Sequence, residues 1–94
     1  MTKSELIEIL IEKTGLAKSK AEEVVNITFA AMSNALAAGN RVEIRGFGSF
    51  KIKDYEGYTG RNPKTGELIE VKSKRLPFFK CGKELKERVD ISAP

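Results

Sequence analysis

The sequence predicts an α+β fold: a helical body, a small antiparallel sheet and a long protruding β-ribbon arm. Three observations predict it. Apolar residues recur at helical spacing through the first 40 positions. From Val42 onward the period drops to two, as in strands with one buried face. Midway between two such stretches lies Gly60-Arg61-Asn62-Pro63-Lys64-Thr65-Gly66, a polar, glycine-bounded segment that reads as the tip of a two-stranded ribbon.

Each element has its own signal. Thr2-Lys3-Ser4-Glu5 has the spacing of a capping box, and Leu6, Ile7, Leu10 and Ile11 follow at helical steps until Thr14-Gly15 stops them. A second helix carries the stripe Ala21, Val25, Thr28, Met32 and Leu36, flanked by Val24, Phe29 and Ala35. Ser19 with Glu22 is a candidate cap, or the helix begins a turn earlier near Ala17; Gly39-Asn40 ends it. Val42 and Ile44 then alternate with Arg41, Glu43 and Arg45. Gly46-Phe47-Gly48 suggests a tight reversal that sends a ring into the core, after which Phe50 and Ile52 alternate with Lys51 and Lys53. The outgoing strand should run to about Tyr58 and the return strand from about Glu67 to Phe79, giving a ribbon on the order of 30 Å long. Gly82 opens a last short helix in which Leu85 and Val89 stand one turn apart. There are no repeats or linkers, so residues 1–94 form one domain, with a body of 1–54 and 75–94 and an arm of about 55–74.

Charge is unevenly placed. Residues 1–40 hold four Lys against five Glu, a net of −1, whereas 41–94 hold thirteen Lys and Arg against eight Asp and Glu, a net of +5. Cations gathered in the half that holds the ribbon suggest a polyanionic partner. At the tip they could neutralise phosphates or enter a narrow groove, and the rigid pyrrolidine ring of Pro63 could wedge between base pairs.

Other classes fit poorly. With no His, the single cysteine Cys81 and no clustered carboxylates beside a glycine-rich loop, no catalytic constellation presents itself, so neither an enzyme nor a cofactor is expected. The strands show no exposed aromatics of the kind that mark single-stranded RNA readers. No run approaches the ~20 apolar residues of a membrane span. The absence of an apolar stretch behind Met-Thr-Lys-Ser-Glu, with one lone cysteine, leads us to expect a cytosolic protein. A ribbon of about 20 residues leaves about 75 for the body, and bodies of that size have marginal cores. Five Phe and the apolar helices must nonetheless be buried, so an obligate intertwined dimer is expected.

Met1 to Glu8, Arg41 to Phe50, Thr59 to Gly66 and Lys80-x-Gly82-Lys83-Glu84-Leu85 together resemble the bacterial HU/IHF family, in order and without gaps over essentially the whole chain. Within it, Glu43-Ile44-Arg45 is most similar to the beta-subunit branch of integration host factor. The resemblance implies an intertwined dimer whose two arms wrap the minor groove of double-stranded DNA and bend it. The partner is an alpha-like paralogous subunit or a second copy. It implies roles in recombination, transcription, replication and nucleoid organisation in the bacterial cytoplasm, or, alternatively, nonspecific compaction of DNA. The proline wedge is an established property of minor-groove architectural proteins, HU and IHF among them, and comes with the resemblance.

For most site residues a bland reading stands beside the functional one. Pro63 is either a turn proline that fixes φ or the intercalating wedge. Arg61, Asn62 and Lys64 are polar turn residues in water, or readers of the degenerate minor-groove pattern. Glu43 and Arg45, two apart on one strand face, are a surface ion pair, or, as the resemblance implies, Arg45 enters the groove while Glu43 orients it. Lys3, Lys53, Lys72, Lys74, Arg75, Lys80, Lys83 and Lys86 are phosphate candidates, of which Lys3 and Lys83 also open helices where anions are favoured. Phe47, Phe50, Phe78 and Phe79 read as core, and Cys81 as a spacer. Tyr55, Tyr58 and Glu56 make the outgoing strand less basic than in many relatives, which carry arginine there; 72–75, with three cations, can compensate.

Overall fold

The computed structural model describes residues 1–92, and among these the chain forms three helices and five strands: α1 (Lys3–Thr14), α2 (Lys18–Ala37), β1 (Val42–Ile44), β2 (Gly48–Tyr55), β3 (Tyr58–Arg61), β4 (Leu68–Val71), β5 (Lys74–Cys81) and α3 (Lys83–Ser92). Local chemistry sets the helix ends. Thr2 Oγ1 accepts from the Glu5 N–H at 3.2 Å, and its hydroxyl donates to Glu5 Oε1 at 3.3 Å. The Thr14 hydroxyl donates to the Leu10 carbonyl at 2.6 Å and accepts from the Leu16 N–H at 3.2 Å, which pins the turn into α2. That helix starts behind Ala17, which offers no side-chain cap, so the Ser19/Glu22 cap is unused. The earlier start places Ala21 in the first turn, where it is completely buried against Ile7 and Val25. At the far end Gly39 and Asn40 donate to the carbonyls of Leu36 and Ala35, both at 2.9 Å, the Schellman arrangement that satisfies carbonyls left free at a helix end.

The strands form two antiparallel sheets. β1, β2 and β5 lie side by side in the body, and β3 pairs with β4 in the arm. The expected continuous ribbon is interrupted: both strands lose their pairing for two residues, at 56–57 and 72–73. Register does not slip across the gap, since Tyr55 faces Lys74 on one side and Tyr58 faces Val71 on the other. Gly57 marks the break. A Cβ there would lie 2.7 Å from the Val71 carbonyl and 2.9 Å from the Ser73 nitrogen, so the two backbones approach too closely for a side chain.

Burial within one chain is slight. Among the described residues the buried apolar side chains are Ile7, Ala21 and Val25, with Leu6, Leu10 and Ile11 packed against them. Phe47, Phe50 and Phe79 cluster, with ring centroids 5.6 and 4.8 Å from Phe79, but Phe47 and Phe79 stay exposed. Phe78 departs from the core expectation altogether, because adjacent strand residues point to opposite faces and Phe79 holds the inner one. Along α2, Val24, Ile27 and Phe29 are also exposed, Ile27 to 61%. The radius of gyration is 19.5 Å, whereas a compact domain of this length has about 12 Å.

Candidate nucleic-acid interface

The arm tip is a built turn. The Asn62 N–H donates to the Glu67 carbonyl at 2.8 Å and the Gly66 N–H to the Asn62 carbonyl at 2.7 Å. Side chains reinforce this loop. Asn62 Oδ1 accepts from the Lys64 N–H at 2.9 Å, Thr65 Oγ1 from the Glu67 N–H at 3.3 Å, and Arg61 Nη1 donates to the Gly66 carbonyl at 3.3 Å. Pro63, Lys64 and Thr65 are left exposed at the apex. A proline costs nothing here, because it removes an N–H that the turn does not use. Arg61 and Asn62 therefore have a turn-building task that sequence reasoning missed. The signal was available, since Asn side chains bond their own backbone two residues on.

Register sorts the ribbon's side chains onto two faces. Phe50, Ile52, Asp54, Arg75, Pro77 and Phe79 share one, and there Ile52, Pro77 and Arg75 line a groove with Ser33, Leu36 and Ala37 of α2. The opposite face carries Lys51, Lys53, Lys74 and Lys80, and on the arm Arg61 together with Glu70. At the ribbon root the outward face is thus the cationic one. Arg75 does not belong to it: its Nε donates to Asp54 Oδ1 at 3.1 Å, and Nη2 lies 3.1 Å from where a Gly39 Cβ would sit. Lys51 was overlooked, although alternation with Phe50 and Ile52 places it beside Lys53. Lys72 sits in the ribbon's break.

A second cationic group gathers where the β1–β2 turn meets α3. Arg45, Lys80 and Lys83 line an open bowl together with Glu43, Ser49 and Gly46. The Gly82 N–H donates to the Phe47 carbonyl at 2.9 Å and ties the turn to the helix. Gly46 has φ 84°, a left-handed conformation that strains any residue with a side chain, while the Glu84 carboxylate that lies 2.8 Å from where a Cβ would sit is a flexible side-chain end that can move aside. Glu43 does not pair with Arg45. It accepts from Arg41 Nη2 at 2.9 Å, on the other side along the same strand face. Lys83 is 88% exposed and reaches Glu87 at 4.0 Å, an ion pair worth little. Lys3 is exposed at the start of α1, beside Asn26 and Phe29 of α2, and Lys86 is exposed on α3.

Residues 1–90 match the family model described as bacterial DNA-binding protein. HU from Anabaena, solved in a cocrystal with DNA, is 36% identical with a TM-score of 0.81, over 95% of this chain and 97% of that one. The chain belongs to the HU family of bacterial DNA-binding proteins. HU from Thermotoga maritima is 31% identical, with a TM-score of 0.64 over 95% of this chain and 98% of that one. A mutant of transcription factor 1, solved in solution, is 27% identical with a TM-score of 0.66, over 96% and 91%. The HU-like fold, with paired N-terminal helices, a C-terminal helix and an extended β-arm, therefore spans essentially the whole chain.

Proposed function

We propose that the chain acts in an intertwined dimer that binds the minor groove of double-stranded DNA and bends it, with Pro63 of each arm wedged between base pairs. The observation that carries this reading is the ribbon itself: the outward face of its root carries Lys51, Lys53, Lys74 and Lys80, and the arm beyond ends in a braced turn that presents Lys64 and an exposed proline. Phosphate contacts along such a face give affinity and register, while insertion of an apolar ring at a base step makes the kink. Dimerisation is supported by the exposed apolar surface of Val24, Ile27, Phe29 and Phe47, which one chain leaves uncovered.

Arg45, in the bowl with Lys80 and Lys83, is placed to follow the groove beside the body, and Lys3, Lys53, Lys72, Lys74 and Lys86 supply further phosphate contacts. The role is architectural rather than enzymatic. It serves recombination, transcription, replication and nucleoid organisation in the bacterial cytoplasm. On the integration-host-factor beta reading, Arg45 gives sequence preference and the partner is an alpha-like chain. A second reading, a nonspecific HU-like homodimer, gains from the Glu43–Arg41 pair, because Glu43 then does not orient Arg45 in the free protein. Native mass measurement of the purified complex, with binding to A·T-rich duplexes against random competitor, separates them. A heterodimer with strong site preference supports the first. A homodimer indifferent to sequence supports the second. Failure of a small minor-groove ligand to compete would contradict both.

A further inference from the structure

We propose that Phe78 and Tyr55 are positioning residues for DNA contact, whose rings hold the ammonium groups of Lys53 and Lys74 on the outward face of the ribbon root. The proposal rests on the DNA-binding reading above. Lys53 Nζ stands 4.4 Å from the centroid of Phe78, and Lys74 Nζ stands 5.7 Å from that of Tyr55. Both lie within the ~6 Å over which the negative face of an aromatic ring attracts a cation. Each pair joins two strands. Tyr55 faces Lys74 directly, and Phe78 lies diagonally from Lys53, whose own register partner is Leu76. Opposed and diagonal side chains are the ones that meet across a sheet.

The location of the rings argues that they serve the cations rather than a core. Tyr55 is 44% exposed and Phe78 43%, on the face turned away from α2, while Phe79 fills the inner side against Phe50. A lysine loses much side-chain freedom when it grips a phosphate, and a ring that already holds it lowers that loss. The Tyr55 pair also brings a cation from the opposite strand to a position that is itself uncharged.

The test compares the full-length dimer with Phe78→Leu and Phe78→Trp, each also combined with Lys53→Met, by equilibrium binding to one duplex. Leucine keeps the apolar bulk without the ring's charge distribution. The expected result is that Phe78→Leu weakens binding about two- to five-fold when Lys53 is present and has no effect in Lys53→Met, while Phe78→Trp binds as the parent does. An equal loss in both backgrounds, or none in either, overturns the proposal. If Phe78→Leu does not fold, Phe78→Met carries the same comparison. Proton NMR of the free protein reads the pairing without DNA: the ring should shift the Lys53 ε-methylene upfield, and an unshifted signal overturns it. A parent protein that bound no duplex would overturn the DNA reading and this role together, whereas lost coupling with binding intact overturns this role alone.

Discussion

At the scale of single residues, similar side chains are separated by where the backbone sets them. Lys80 and Arg75 are both cations of β5, yet odd and even positions put them on opposite faces. Each phosphate contact contributes about 0.9 to the slope of log affinity against log salt. Lys80→Gln is therefore expected to flatten that slope by roughly one unit per contact removed, whereas Arg75→Gln leaves it unchanged; titrations at several salt concentrations check both. Gly46 is constrained by its φ of 84°. Gly46→Ala should destabilise the protein by about 1–2 kcal/mol or more, read from chemical denaturation. Sequence spacing did not reveal such pairings as Glu43 with Arg41, because a carboxylate between two arginines has two equivalent choices along one strand.

At the scale of elements, the helices were the most legible part. The Thr2 cap, the Gly15 stop and the stripe through Ala21 and Val25 are local signals, and local hydrogen bonds obey them. The strands were legible in number and polarity, but two of their properties were not drawn out. Phe78 and Phe79 are adjacent in a strand and so cannot share a face, a consequence of period two that a reading of both as core overlooks. The break at 56–57 and 72–73 lies in pairing between strands, and alternation along one strand is silent about that. The break has a dynamic consequence. The arm's four-residue strands β3 and β4 form a separate sheet with no third strand, and isolated two-stranded ribbons are marginally stable. Amide hydrogen exchange in the free protein should be faster throughout 58–71 than in β2 and β5. Equal protection across the break would mean that the ribbon behaves as one rigid unit.

At the scale of the whole molecule, a chain with three buried apolar side chains among its described residues and a radius of gyration of 19.5 Å does not account for its own stability. The exposed row on α2 and the open face of Phe47 call for a second chain. Sedimentation at micromolar concentration should show no folded monomer, and Ile27→Glu, a charge placed in that row, should abolish folding at the same concentration. The tip residues mark Pro63 as the candidate wedge; the structure adds how Pro63 is held outward, through Asn62, Thr65 and Arg61 bracing the loop around it.

The central claim is that Pro63 bends DNA rather than merely completing a turn. Fluorescence transfer between dyes at the two ends of a bound duplex tests it most directly, in the parent dimer and in Pro63→Ala. The account predicts a markedly smaller bend in the variant with a lesser loss of affinity, since the cationic face remains. An unchanged bend would contradict it.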